Sequence, residues 1–248
     1  METILQQGIP YPLPGARLPG IAPLEIADWL VTDEAFAAQM RLRARLLATR
    51  REEVLRLAES ARPAAGELLE TVLGLLRGRA GYRVGTGEVV RPDGARVPVD
   101  PADPLATLGN LVQEDFCLLQ KDPASGQHVL CGAVLCFPAG WSLAEKFGRP
   151  LTRIHAPVAE YDGQMARRVQ RLFDAIRPEQ PLWRANALDY HDPSLFAPRR
   201  EADPRQRPEG IAPYLRSERQ CLLRLPESRA VVFSIHTWVV ARSVGGCG

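Results

Sequence analysis

His155 has the sequence context that most suggests cofactor chemistry. It lies in Pro150-Leu-Thr-Arg-Ile-His155-Ala-Pro157, where Pro150 can start a helical turn and Pro157 prevents its continuation. A histidine at the end of so short a turn has a fixed direction, and one imidazole in an apolar pocket suits an axial ligand of a haem iron. The alternative is a helix-end histidine that hydrogen-bonds a carbonyl of the last turn. The residues alone leave both interpretations open.

Polar side chains also alternate along the last three predicted strands. One face of each strand carries, in turn, Arg184 and Asn186; then Arg216, Glu218, Gln220, Leu222 and Arg224; then Ser234, His236 and Trp238. Such a stripe is typical of a solvated sheet face. The alternative is the lining of a polar cavity, because arginine, glutamate and amide side chains can bind one another and a charged ligand.

Familiar local motifs of other chemistries do not occur in the sequence. There is no phosphate-binding G-x-x-x-x-G-K-[ST], no H-E-x-x-H and no G-x-S-x-G, and no two of the four histidines share a metal-ligand spacing. Cys131 and Cys136 have the C-x4-C spacing of part of an iron–sulfur loop, but the next required cysteine is missing. Because both lie in an apolar, strand-like run, we expect buried structural thiols.

Composition limits the possible partners and compartments. The formal net charge of +2, from 31 basic and 29 acidic side chains, gives no argument for nucleic acid or a membrane surface. The longest nearly apolar run, Val129–Phe137, is shorter than the roughly 18 residues of a membrane span. An odd count of five cysteines, the last being Cys247, together with an N-terminus unlike a secretory signal, predicts a cytoplasmic protein.

The N-terminal third predicts an irregular arm followed by two helices. Residues 1–24 are rich in proline and glycine. Thr32 can cap a helix whose apolar spacing extends to about Ser60, with acidic residues in its first turn. Pro63 then opens a second helix, which ends in the region from Gly78 to Gly81.

The rest of the chain predicts strands with short helices between them. Pro92-Asp-Gly94 is a turn between two short strands, and a turn at 122–126 joins the next two into a hairpin. The later strands are predicted at Leu182–Leu188, Leu215–Leu225 and Ala230–Val240, and helices at Pro104–Val112, Ser142–Phe147, Leu151–His155 and Gly163–Ile176. The predicted fold class is α+β with a mostly antiparallel sheet.

Several stretches resemble the haem-dependent oxidative N-demethylase family. They are Leu111–Leu119, Phe137–Gly148, Pro150–Val158, Leu182–Asn186, Leu215–Gln220, Arg224–Ser228 and Phe233–Thr237. The resemblance covers roughly residues 20–242 and keeps the family's order. It implies a PAS-like haem domain over residues 81–248, preceded by an arm and helical extension over residues 1–80, the two forming one unit.

The resemblance also implies an activity and its partners. The family's best-described reaction is dimethylamine oxidation by an α subunit that carries haem b, with release of formaldehyde. Electrons reach that subunit from NADPH through FMN and [2Fe–2S] components, which we expect on a separate reductase partner. A PAS-like gas or redox sensor without turnover is the competing function, since domains of this kind commonly serve as sensors.

With the resemblance, each polar position acquires an expected role. His155 becomes the axial ligand of the iron, and Glu218 the acceptor of the substrate ammonium. Arg184 and His236 join Glu218 as catalytic candidates, and the haem-binding candidates are Trp183, Asn186, Arg216 and Arg224. Two positions depart from the family pattern, in which we expect tryptophan where this chain has Ala187 and often arginine where it has His236. The identity of the amine therefore carries over less well than haem binding.

Overall fold

A central antiparallel sheet organises the chain. The computed structural model describes residues 3–13, 20–155, 163–203 and 210–242. Its strands are β1 (Ala22–Pro23), β2 (Leu55–Leu57), β3 (Arg83–Val84), β4 (Glu88–Val90), β5 (Arg96–Pro98), β6 (Asp115–Lys121), β7 (His128–Val134), β8 (Leu182–Tyr190), β9 (Tyr214–Arg224) and β10 (Val231–Ala241). Within these ranges, seven strands pair in the order β1-β8-β9-β10-β6-β7-β2, and β3-β4-β5 form a smaller sheet.

Helices cover both faces of the large sheet. They are α1 (Phe36–Thr49), α2 (Arg51–Val54), α3 (Arg62–Leu76), α4 (Pro104–Leu111), α5 (Leu143–Lys146), α6 (Leu151–Ile154) and α7 (Gly163–Ala175). The helices α1, α3 and α4 bury their apolar side chains in the larger core, which also includes Ile4 of the arm and Val239 of β10. The helices α5, α6 and α7 contribute Leu143, Leu151 and Phe173 to a second apolar cluster, with Leu222 and Ile235 of the sheet.

The register of β8, β9 and β10 decides which side chains share a face. The β9–β10 ladder runs without interruption from Tyr214↔Ala241 to Arg224↔Val231, and β8 pairs with β9 so that Asn186 lies opposite Glu218. Directly paired residues of antiparallel strands point to the same side of the sheet. Even-numbered residues of β8 and β9 and odd-numbered residues of β10 therefore share one face, which we call the site face. The remaining residues point to the opposite face, toward the larger core that contains α1, α3 and α4, and we call this the helix face.

The predicted fold class is confirmed, and so are most of the elements. The structure is α+β, with the mostly antiparallel sheet and the N-terminal helices that were expected. Gly94 and Gly126 adopt φ values of 81° and 68°, the left-handed conformation that both predicted turns require. Pro63 lies in the first turn of α3, where its missing N–H has no cost. In the described ranges, no helix has both the length and the apolar character needed to cross a membrane.

The prediction of one long first helix, from Thr32 to about Ser60, is wrong. α1 ends at Thr49, and Leu55–Leu57 form an edge strand in which Leu55 pairs with Val134. The apolar residues at 55 and 57 also fit the two-residue period of a strand, and pairing with β7 decides between the two patterns. Thr32 is not the cap either, because α1 begins at Phe36 with Ala35 at the N-cap position and no side-chain cap hydrogen bond.

Candidate functional site

A small cavity opens on the site face near one end of β8 and β9. Its volume is about 190 Å³, and its lining consists of Ala139, Trp141, Asn186, Leu188, Tyr190, Arg216 and Glu218. Pockets for drug-sized ligands typically measure about 300–1,000 Å³. The cavity therefore suits a ligand of only a few heavy atoms.

Two amides hold the carboxylate of Glu218. Asn186 Nδ2 and Gln220 Nε2 donate to Glu218 Oε2 at 3.2 and 3.1 Å, and the Glu218 N–H donates to Asn186 Oδ1 at 3.1 Å. The other oxygen, Oε1, lies 3.6 Å from Arg216 Nη2, which is an ion-pair distance but beyond a good hydrogen bond. In the ranges that the structure describes, no hydrogen bond reaches Oε1. The carboxylate is thus oriented through one oxygen and keeps the other for a ligand.

Arg216 is buried beneath the cavity and fixed by backbone carbonyls. Its side chain is 2% exposed. Nη2 donates to the carbonyl oxygen of Phe137 at 2.6 Å, and Nη1 donates to that of Leu195 at 3.2 Å. Its guanidinium carbon lies 5.7 Å from the ring centre of Tyr190. These bonds connect β9 to the segment before α5, which contributes Ala139 and Trp141 to the cavity, and to the segment after β8. They also set the direction of the Arg216 Nε–H.

Unpaired buried polar atoms concentrate on the site face. The described residues contain four buried side-chain polar atoms without a hydrogen-bond partner, and three of them, Arg184 Nε, Arg216 Nε and Thr237 Oγ1, belong to site-face positions. Thr237 pairs directly with Glu218 across β9 and β10. Buried polar groups are nearly always hydrogen-bonded in native proteins. Their concentration here indicates a surface that binds a polar or charged ligand.

His155 follows the last turn of α6 as a neutral, oriented imidazole. Its half-buried ring donates from Nδ1 to the carbonyl of Leu151 at 2.9 Å, which leaves Nε2 unprotonated. Burial lowers the pKa of His155, the bond to Leu151 opposes this, and the positive charges of Lys146 and Arg184 lower it further. Neutral imidazole is the form that binds metals. Pro157, which the sequence analysis used to end this turn, lies outside the described residues.

The comparisons with known proteins agree with this chemistry. The family model described as haem-dependent oxidative N-demethylase, alpha subunit-like, matches residues 20–243. The chain belongs to this family. A search of the curated proteins found no match. The family's haem dependence supports haem in an N-demethylase alpha subunit-like chain.

Two of the residues expected in the N-demethylase site lie on the opposite face of the sheet. Trp183 pairs with Cys221, and His236 with Arg219, so the side chains of both point to the helix face. The ring of Trp183 packs against Tyr11 and under the guanidinium of Arg219. Because side chains alternate across a strand, the sheet itself separates Trp183 and His236 from Glu218. Alternation along a strand predicts which of its residues share a face. It does not predict which face of one strand lies beside which face of the next.

His236 belongs instead to a buried network of charges. It is 1% exposed, and its Nδ1 and Nε2 lie 3.1 Å from Glu114 Oε1 and 3.2 Å from Asp33 Oδ2. Burial lowers the pKa of His236, but the hydrogen bonds and charges of the two carboxylates outweigh it, so the net shift is upward. This network connects β10 to the segment before α1.

Arg224 is on the site face, but its guanidinium serves the fold. It donates to the carbonyls of Phe173, Ile176 and Arg229, the first through a short contact and the other two at 2.7 Å. The first two carbonyls belong to the C-terminal end of α7, where carbonyls lack partners within the helix. Arg224 therefore fixes α7 to the sheet beside the site.

The sequence analysis missed two aromatic residues of the cavity. Trp141 lies in one of the stretches that resemble the family, but nothing in its spacing marks it as a wall residue. Tyr190 continues the alternation of Arg184 and Asn186 along β8 and could have been found by extending that strand. Burial raises the pKa of Tyr190, so its hydroxyl is protonated and can donate a hydrogen bond.

Other metal chemistry has no support in the described residues. They contain no group of three or more histidine, cysteine or acidic side chains that could hold a metal ion. The expected buried thiols are confirmed, and burial raises the pKa of Cys131 to about 11 and that of Cys136 to about 12. Cys247 lies outside the described residues.

Proposed function

We propose that this chain is the haem-binding subunit of a monooxygenase that removes a methyl group from a small amine. The observation that carries the proposal is the Glu218 carboxylate, held by two amides in a small cavity of a chain that belongs to this family. In the overall reaction, R–NH–CH₃, O₂, two electrons and two protons give R–NH₂, formaldehyde and water. Dimethylamine is the simplest amine to test.

Two residues are proposed to hold the haem. His155 would ligate the iron through Nε2, and Arg184, whose guanidinium forms no hydrogen bond in the described ranges, would pair with a propionate. Burial lowers the pKa of Arg184 while the charge of Glu218 opposes this, so an anionic partner would offset the cost of burying this cation. The haem, when bound, supplies the iron that binds and reduces O₂.

The cavity residues are proposed to bind and orient the amine. Glu218 Oε1 accepts a hydrogen bond from the substrate ammonium, while Asn186 and Gln220 keep the carboxylate from rotating. Trp141 and Tyr190 offer aromatic faces to the N-methyl groups, which suits alkylated cations.

His155→Ala tests the haem assignment, and His191→Ala serves as a matched control at a histidine just beyond β8. Purified wild-type protein, reconstituted with hemin if necessary, should show the Soret band of a histidine-ligated haem. His155→Ala should lose that spectrum and keep the far-UV circular dichroism of the fold, while His191→Ala should keep both. An unchanged spectrum in His155→Ala, or no Soret band in the wild type, would exclude His155 as the ligand.

The electrons for the reaction are proposed to come from another polypeptide. The sequence has no complete dinucleotide-binding motif and no iron–sulfur spacing, and the family is described as alpha subunit-like. We expect formaldehyde from NADPH, oxygen and a methylated amine only when a reductase containing FMN and a [2Fe–2S] cluster is added. Formaldehyde without reductase would contradict the partner requirement. No formaldehyde from a broad amine panel with a competent reductase would favour the sensor.

A further inference from the structure

We propose that the substrate of this site carries a carboxylate as well as an amine, so that it is a small N-methylated amino acid such as N-methylglycine or N,N-dimethylglycine. This inference rests on the proposed function and names the class of its substrate. For N-methylglycine the balanced reaction takes O₂, two electrons from a one-electron carrier protein and two protons, and gives glycine, formaldehyde and water.

The charges of the cavity do not favour a simple alkylammonium ion. Glu218 and Arg216 both line the cavity, and their Oε1 and Nη2 atoms are 3.6 Å apart. A cation that approaches Glu218 Oε1 therefore also approaches a buried guanidinium of the same sign. The attraction of the cation to Glu218 and its repulsion by Arg216 nearly cancel, because its distances to the two groups are similar. A zwitterion, with its positive end at Glu218 and its negative end at Arg216, gains from both.

Two of the cavity residues also carry unsatisfied hydrogen-bonding groups of complementary kind. Glu218 Oε1 is an acceptor that no described residue bonds, and Arg216 Nε is a buried donor without a partner. Carbonyl oxygens of Phe137 and Leu195 hold the two Nη atoms of Arg216. The Nε–H therefore cannot turn to another protein partner without breaking those bonds. An ammonium would satisfy the acceptor, and a carboxylate two bonds away in the same ligand would satisfy the donor.

The size of the cavity limits the rest of the ligand. A volume of about 190 Å³ lies below the roughly 300–1,000 Å³ typical of pockets for drug-sized ligands, which favours a ligand the size of an N-methylated glycine. The aromatic residues Trp141 and Tyr190 belong to the same lining and would contact the methyl groups.

A set of matched ligands tests the inference without altering Arg216, which the fold needs for its carbonyl contacts. Binding of N,N-dimethylglycine, its methyl ester and dimethylamine to the haem-loaded full chain would be measured by calorimetry, at a pH where all three amines are protonated. The ester keeps the cation but lacks the negative charge, and its added methyl group is the other difference from the acid. We expect N,N-dimethylglycine to bind at least tenfold more tightly than either of the others. Equal or weaker binding of the acid would overturn the inference.

Arg184→Gln separates the two sources of a carboxylate, the ligand and a haem propionate. If Arg216 binds the ligand and Arg184 a propionate, this variant should lose haem affinity but keep the tenfold preference for N,N-dimethylglycine over its ester. Loss of the preference would overturn the assignment to Arg216. The proposed function has its own test. If dimethylamine is demethylated and the acid is not preferred, the proposed function stands and the substrate inference fails. If the acid binds tightly but no formaldehyde forms, the proposed function is contradicted.

Discussion

Replacing His236 with asparagine should destabilise the protein without changing its chemistry. His236 is 1% exposed between Glu114 and Asp33, whose side chains are 1% and 8% exposed, at distances of 3.1 and 3.2 Å. Removing one partner of a buried ion pair leaves uncompensated charge and typically costs about 3–5 kcal/mol. Natural domains have only about 5–15 kcal/mol in total, so His236→Asn should lose a large fraction of its free energy of unfolding.

The same network predicts a direction for the pH dependence. The pKa of His236 is raised in the folded protein, so its contribution to stability is complete below the unfolded pKa of about 6.5 and is lost as the pH rises through the folded value. Between those two values the loss is up to about 1.4 kcal/mol per pH unit. The pKa of Asp33 is lowered, so its contribution is lost only in acid, below about pH 4.

Urea unfolding at pH 6.5, 7.5 and 8.5 measures the loss of stability in His236→Asn and the pH dependence of the wild type. Amine binding is followed in parallel through the haem spectrum. A triple variant with Asp33→Asn, Glu114→Gln and His236→Gln has no titrating group in the network and supplies the reference for the pH slope. The reasoning is refuted if His236→Asn unfolds like the wild type and weakens amine binding, because His236 would then act at the site rather than in the network. A wild-type pH slope equal to that of the triple variant would refute the charge assignment.

Two further predictions concern the site face. Glu218→Gln should weaken binding of the amine substrate by roughly ten- to a hundredfold at unchanged haem content, since a charge-assisted hydrogen bond is worth about 1.5–3 kcal/mol; unchanged affinity in a spectral titration would return Glu218 to a structural role. Arg224→Leu should lower the free energy of unfolding by about 1–3 kcal/mol and increase hydrogen exchange in α7, because the carbonyls of Phe173 and Ile176 lose their donor. Equal exchange rates in variant and wild type would contradict this role.

Local chemistry was enough to predict most of the elements. The turns at Gly94 and Gly126, the proline at the start of α3 and the alternation along β8, β9 and β10 all follow from backbone preferences and side-chain period. The edge strand at Leu55–Leu57 could not be predicted, because three residues fit a helical and a strand pattern equally well and only pairing with β7 decides.

The site was predictable in its residue types but not in its arrangement. Which face of β10 meets which face of β9 depends on register, which no local pattern reports, and so His236 was grouped with Glu218. Buried arginines are equally hard to foresee. Arg43 is fully buried in an ion pair with Asp115 at 2.6 Å, and it also donates to the carbonyls of Gly109 and Glu114. The helical spacing of Met40 and Leu47 places Arg43 on the buried face of α1, unlike the exposed Arg41 and Arg45, but it does not identify Asp115 as its partner.

Alternate residues of strand β9 have two unrelated roles. Arg216, Glu218 and Gln220 shape the cavity, while Arg219 and Cys221 pack on the helix face. A substitution at Glu218 or Gln220 can therefore change the cavity without removing the carbonyl contacts of Arg216, and one at an odd position can alter packing without touching the cavity. An insertion or deletion would exchange the two sets at once, since a shift of one residue turns every side chain over. Point substitutions in β9 are therefore expected to change the cavity of this chain, while insertions and deletions are expected to be tolerated only in its loops.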